Sequence, residues 1–256
     1  MAGMSQTDSS HASKFQPSPN HGERLGQVDC VILHYTGMAD DASALAWLCN
    51  RQSEVSCHYY IREDGGIVQL VPENRRAWHA GRSCWAGVTD INSHSIGVEI
   101  VNGGHGFGSP PFPPVQISAV IRLCADIAGR HHIQPERILA HSDIAPGRKQ
   151  DPGELFPWAE LHRHGIGHWV PPHPVAGGRF LSPGEQGAPV AALQEMLAIY
   201  GYGVERTALY DAATQAVVAA FQRHFRPARV DGIADASTIS TLNDLIAHLP
   251  KAGPRP

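Results

Sequence analysis

No stretch of the 256-residue chain approaches 18 consecutive apolar residues, so no helix is expected to span a membrane. A basic excess is also missing: 20 Lys and Arg stand against 24 Asp and Glu, a formal net charge of −4. Affinity for a phosphate backbone comes from cationic side chains, so general nucleic-acid binding is not expected. Cysteine is scarce and odd in number, at Cys30, Cys49, Cys57, Cys84 and Cys124, with no C-x-x-C spacing. That excludes a complete disulfide framework and favours a reducing compartment; the thiols read as small buried hydrophobes. Residues 1–20 are polar and Ser-rich, without the charged start and apolar stretch of a secretory signal. Charged residues make up 17% against 42% hydrophobic ones, which is a globular and not a disordered composition.

What the sequence has in quantity is histidine, 16 residues against four Met and five Trp. Such an excess points toward metal binding without placing it. Along the chain, residues 1–20 read as a flexible tail. Residues 28–35 (VDCVILHY) form an almost unbroken β-branched apolar run, which suits a strand buried on both faces. A helix is predicted over 40–51, capped by Asp40 or Asp41. Residues 57–62 and 67–71 flank Asp64-Gly65-Gly66, a hairpin signal. A second central strand falls at 95–102 (SIGVEIVN). Ile117, Val120, Ile121, Cys124, Ile127 and Ala128 stripe a long helix over 115–131. A short strand over 138–141 ends in His141.

Together these elements predict an α/β class, a central mixed β-sheet flanked by helices. The first domain is assigned to 21–165 and a Pro- and Gly-rich linker to 166–179. Three helical patterns follow within 180–250, with Asp211 and Asp235 as N-caps, which predicts a C-terminal three-helix bundle.

His34, Glu99, His141 and Asp151 are the polar residues that this organisation places at strand ends and loops, with Lys149 two residues before Asp151. Two His and one Asp can supply three ligands to zinc and leave a fourth position for water. A carboxylate inside a buried strand is costly unless it is partnered or used. Glu99 therefore reads as a proton acceptor for that water, or else as half of a structural ion pair.

The segments VILHYTG, CHYYIREDGGIVQLVPENRRAWHAG, NSHSIGVEIVN and LAHSDIAPGRKQDPG resemble the zinc-dependent N-acetylmuramoyl-L-alanine amidases of the peptidoglycan-recognition type, in order, over about residues 18–158. The resemblance implies one zinc ion per chain, held by His34, His141 and Asp151. It implies Glu99 as catalytic acid/base and Lys149 as the group that stabilises the oxyanion. The bond cut is then the amide between N-acetylmuramic acid, or its 1,6-anhydro form, and L-Ala of the stem peptide. His58, Arg62, Trp78 and His79 lie in segments that line or support the family's substrate groove. The partner is thus a muropeptide or peptidoglycan. The alternative is a non-catalytic muropeptide-binding or regulatory protein with a structural zinc. Residues 180–250 resemble a three-helix peptidoglycan-binding domain, and whether it binds glycan or only packs stays open. A cytoplasmic enzyme of muropeptide recycling is expected, with a periplasmic one as the alternative.

Overall fold

A computed structural model describes residues 7–249 except 176 and 179. Its centre is a six-stranded sheet in the order β1-β5-β4-β7-β3-β8. The strands are β1 (Lys14–Phe15), β3 (Cys30–Tyr35), β4 (Tyr59–Ile61), β5 (Ile67–Gln69), β7 (Ser95–Ile100) and β8 (Ile138–Ala140). Only the β4–β5 hairpin is antiparallel, so the sheet is mixed, as expected. A small ribbon joins β2 (His21–Glu23) to β6 (Arg75–Ala77).

Side chains alternate across a strand, and this sorts the centre of the sheet. Val31, Leu33, Ile96, Val98 and Ile100 face α3 (Pro114–His131), the striped helix, and share its buried cluster. The opposite face carries Ile32 and Tyr60 under two covers. One is α1 (Asp41–Leu48), whose N-cap Asp40 accepts the Ser43 N–H. The other is the C-terminal helices α6 (Ala188–Tyr200), α7 (Ala212–Phe225) and α8 (Ala236–Ala247). Asp211 and Asp235 cap α7 and α8 as expected. His34 and Glu99 pair in register on β3 and β7 and belong to this second face. Short helices α2 (Ile91–His94), α4 (His141–Ile144) and α5 (Trp158–Arg163) complete the catalytic part.

Two expectations change. Residues 7–20 are not a flexible tail: β1 adds a parallel strand to β5, and Ser9, Ala12, Ser18 and Asn20 are buried. The Asn20 amide donates to the carbonyls of Asn50 and Val55. The strand is too short for period-2 patterning to reveal it. Residues 1–6 of the expected tail lie outside the described residues. His141 does not end a strand; it opens α4 directly after β8.

Within the stretch read as a linker, Ile166 is buried and Trp169 packs on the cores. His173 Nε2 lies 2.8 Å from the Asp244 carboxylate on α8. Among the described residues no helix is long and apolar enough to cross a membrane.

Candidate active site

The C-terminal ends of β3 and β8 and the loop after α4 bring three ligand-type atoms together. His34 Nδ1 lies 2.9 Å from His141 Nδ1 and 3.0 Å from Asp151 Oδ2, and His141 Nδ1 lies 3.0 Å from the same oxygen. All three residues are buried. A triangle of such edges leaves a point about 2 Å from every corner, the bond length zinc takes with N and O ligands. The proton count agrees. His141 Nε2 sits 3.2 Å from the Ala80 carbonyl, which can only accept, and 3.4 Å from Arg148 Nη2, which can only donate; the shorter contact places the hydrogen on Nε2 and leaves Nδ1 a lone pair. The donor set therefore fits a single zinc ion.

Electrostatics favour the same protonation states. Burial, followed by the neighbouring His141, pushes the His34 pKa down to about 4, against a smaller opposing pull from Asp151. Burial alone would raise the Asp151 carboxyl, but His141 and His34 outweigh it and hold Asp151 well below the usual carboxylate range. Glu99 goes the other way. Burial, then the charge of Asp151, lifts its pKa well above the carboxylate range, against a smaller effect of Lys149. Its Oε2 is buried without a hydrogen-bond partner.

Glu99, Lys149, His141 and Asp151 line a cavity of about 570 Å³, in the range of small-molecule sites. His141, Asp151, Glu99 and Lys149 form its polar floor and side, and Met38, Trp47, Leu48, Val55 and Trp78 an apolar wall. Trp78 and His79 reach the cavity. His58 and Arg62 do not line it. His58 is fully buried: its Nδ1 accepts the Gly97 N–H and its Nε2 lies against Arg24 and the Arg75 carbonyl. Arg62 turns to the Asp41 carboxylate at the start of α1. His58 shares the sheet face of Glu99 but lies further back along it, against Gly97 and beside the His79 ring, and Arg62 lies past the end of β4 in the hairpin, so both are held by partners outside the cavity.

Sequence reasoning did not single out Tyr35 and Arg148, which also line the cavity. Tyr35 Oη lies 3.0 Å from His105 Nδ1, and His105 Nε2 lies 3.0 Å from Glu154. Arg148 donates to the Ala80 and Arg82 carbonyls. Each is a chain neighbour of a residue that was singled out, His34 or Lys149, and that adjacency was the available signal.

A mixed sheet with a buried two-His, one-Asp cluster, a free carboxylate and a lysine around one cavity defines a hydrolase of the amidase class. A sequence model of N-acetylmuramoyl-L-alanine amidases matches residues 24–154, and one of a peptidoglycan binding domain matches residues 186–242. The N-acetylmuramoyl-L-alanine amidase AmiD of Escherichia coli is 44% identical over 227 residues, covering 83% of this chain and 80% of that protein. The 1,6-anhydro-N-acetylmuramyl-L-alanine amidase AmpD of Enterobacter cloacae is 39% identical over 42% of this chain and 56% of its own length.

Among solved structures, AmiD from E. coli bound to anhydro-N-acetylmuramic acid-L-Ala-D-gamma-Glu-L-Lys superposes with a TM-score of 0.73 at 39% identity, covering 88% of this chain and 92% of that one. AmpDh3 from Pseudomonas aeruginosa gives 0.73 at 31% identity, covering 93% and 98%. The chain belongs to the N-acetylmuramoyl-L-alanine amidase family and carries a C-terminal domain of the peptidoglycan-binding type.

Proposed function

We propose that this amidase is zinc-dependent and cuts the amide between N-acetylmuramic acid, including its 1,6-anhydro form, and L-Ala in muropeptide turnover and recycling. The observation that carries the reading is the convergence of His34, His141 and Asp151 beside the unpartnered Glu99 carboxylate. The AmiD complex named above holds an anhydro-muramic tripeptide, and AmpD relatives are named for the same bond. Both support the substrate class.

Held by His34, His141 and Asp151, zinc would act as a Lewis acid and make a bound water a nucleophile near neutral pH. Glu99 takes the proton of the attacking water and returns it to the leaving nitrogen of L-Ala. Lys149 places a cation at the carbonyl oxygen as negative charge develops there. The apolar wall around Trp47 and Trp78 offers faces for the sugar ring and excludes water from the reacting bond. A non-catalytic protein with a structural zinc would have no use for a buried, unpaired carboxylate at the cavity.

Location remains a proposal with its own measurement. The cytoplasmic reading is supported by five free thiols, three of them buried, and recovery of the mature protein with periplasmic contents overturns it. The function is tested by incubating the purified enzyme with an anhydro-muramyl tripeptide and with its reducing-end counterpart. Release of peptide with a free L-Ala amine is expected, abolished by a chelator and restored by zinc. A protein that binds one zinc per chain and releases no peptide belongs to the binding class instead.

A further inference from the structure

The contacts behind the two histidine ligands point to a second layer built on one dipeptide. We infer that His79 and Ala80, pinned by Asn92 and Ser95, fix the tautomer and orientation of both His34 and His141 for the metal. The inference rests on the reading that His34, His141 and Asp151 hold zinc.

The direction of the hydrogen bonds behind His34 is set from its far end. Ser95 has one hydroxyl proton, and the Ile91 carbonyl, 2.7 Å away, takes it, because a carbonyl can only accept. The Ser95 oxygen then accepts from His79 Nε2 at 3.1 Å. With its hydrogen on Nε2, a neutral His79 presents a bare Nδ1. That nitrogen lies 3.1 Å from His34 Nε2, which must be the donor. His34 Nδ1 is left as a lone pair among His141 and Asp151. The chain thus runs from a backbone carbonyl to the metal position with one consistent polarity.

The next residue performs the same service for the other ligand, since the Ala80 carbonyl accepts from His141 Nε2. The dipeptide itself is held from one point: Asn92 Oδ1 accepts both the His79 N–H at 3.0 Å and the Ala80 N–H at 2.8 Å. Space for the His79 ring is provided by Gly97 in β7. A Cβ there would lie 2.4 Å from the ring atoms Cγ and Cδ2, so any larger residue would displace the ring. His79 is therefore a positioning residue and not a ligand.

The test is zinc affinity of the full-length chain, measured by competition with a chromogenic chelator after metal removal. Circular dichroism and thermal midpoints of the metal-free proteins serve as the control for folding. Ser95→Ala removes the acceptor that fixes the His79 tautomer, and His79→Leu removes the acceptor for His34. Each is expected to weaken zinc binding 10- to 100-fold, the scale for outer-shell partners of metal-ligating histidines. His79→Asn places an amide oxygen near the former Nδ1 and is expected to recover most of the affinity lost in His79→Leu. With cobalt in place of zinc, the visible absorption of Ser95→Ala is expected to differ from that of the parent.

Parent-like affinity in a folded Ser95→Ala variant overturns the inference, as does an equal loss in the Asn and Leu variants. If His79→Leu does not fold, Ser95→Ala decides alone. A parent chain that binds no zinc overturns the metal site itself, and this inference with it, and is told apart by that first titration.

Discussion

At Glu99 a carboxylate oxygen is buried with no partner, beside the charge of Asp151, which costs free energy unless the group is used. Glu99→Gln keeps the shape and removes the charge. The variant is expected to retain its metal and fold, to melt at the parent temperature or above it, and to lose about 10²–10⁴ of kcat, the scale of a general base. Turnover near the parent value would make Glu99 a structural carboxylate. The residues of the candidate site were legible in the chain because a carboxylate inside an apolar strand is anomalous, as at Glu99, or because the residue sits in a family-like motif, as at His34, Lys149 and Asp151. His58 and Arg62 share the same strand and hairpin but are aimed elsewhere, and sequence adjacency carries no orientation. Ser95 and Asn92 were illegible for the opposite reason, because a short polar residue beside a strand is ordinary until its partners are known.

Elements are tied together by one buried carboxylate. Glu73, in the loop after β5, accepts from Tyr59 on β4 and from Arg130 and His131 at the C-terminal end of α3. Burial would raise its pKa, yet hydrogen bonds from Arg130, Tyr59 and His131 bring it down to about 2 from an ordinary 4.5. A carboxyl depressed in the folded state contributes stability that is full above its unfolded pKa and lost as pH falls through the folded one. Arg130 and His131 are partly exposed, so the effect is discounted for solvent screening. Glu73→Gln is expected to cost on the order of 1–3 kcal/mol at pH 7. Urea unfolding should show the gap between variant and parent narrowing at pH 3. A gap of the same size at both pH values would mean that shape and not charge holds α3 here. The long helix was readable from its apolar stripe, whereas the ion cluster at its end joins positions more than fifty residues apart.

On the scale of the whole molecule, one apolar cluster runs through both parts of the chain. Ile32, Trp85, Leu139 and Ile144 from the catalytic part pack with Leu197, Tyr200, Tyr202, Phe221 and Phe225 from the helices. Asp143 is fully buried; it accepts the Ala140 N–H just before His141, the Tyr202 hydroxyl at 2.7 Å and a hydrogen from His224 Nδ1 at 2.7 Å. A chain ending near residue 174 would expose this apolar face to water and remove two of the partners of Asp143. Its melting temperature is expected to fall by roughly 10 °C or more, or the chain to precipitate. A soluble truncated chain that melts with the parent would show that the two parts fold independently.

The sequence by itself determined the class of fold and the order of the principal strands and helices, because hydrophobic period is a property of the local chain; among sixteen histidines it was the resemblance of whole motifs, and not spacing, that singled out His34 and His141 with Asp151. Only the tertiary structure decided which face of the sheet His34 and Glu99 occupy, how His79 and Ala80 orient the ligands, and that residues 7–20 and the C-terminal helices close the same body. Those depend on side chains meeting across large sequence separations, where neither propensity nor spacing sets direction or distance.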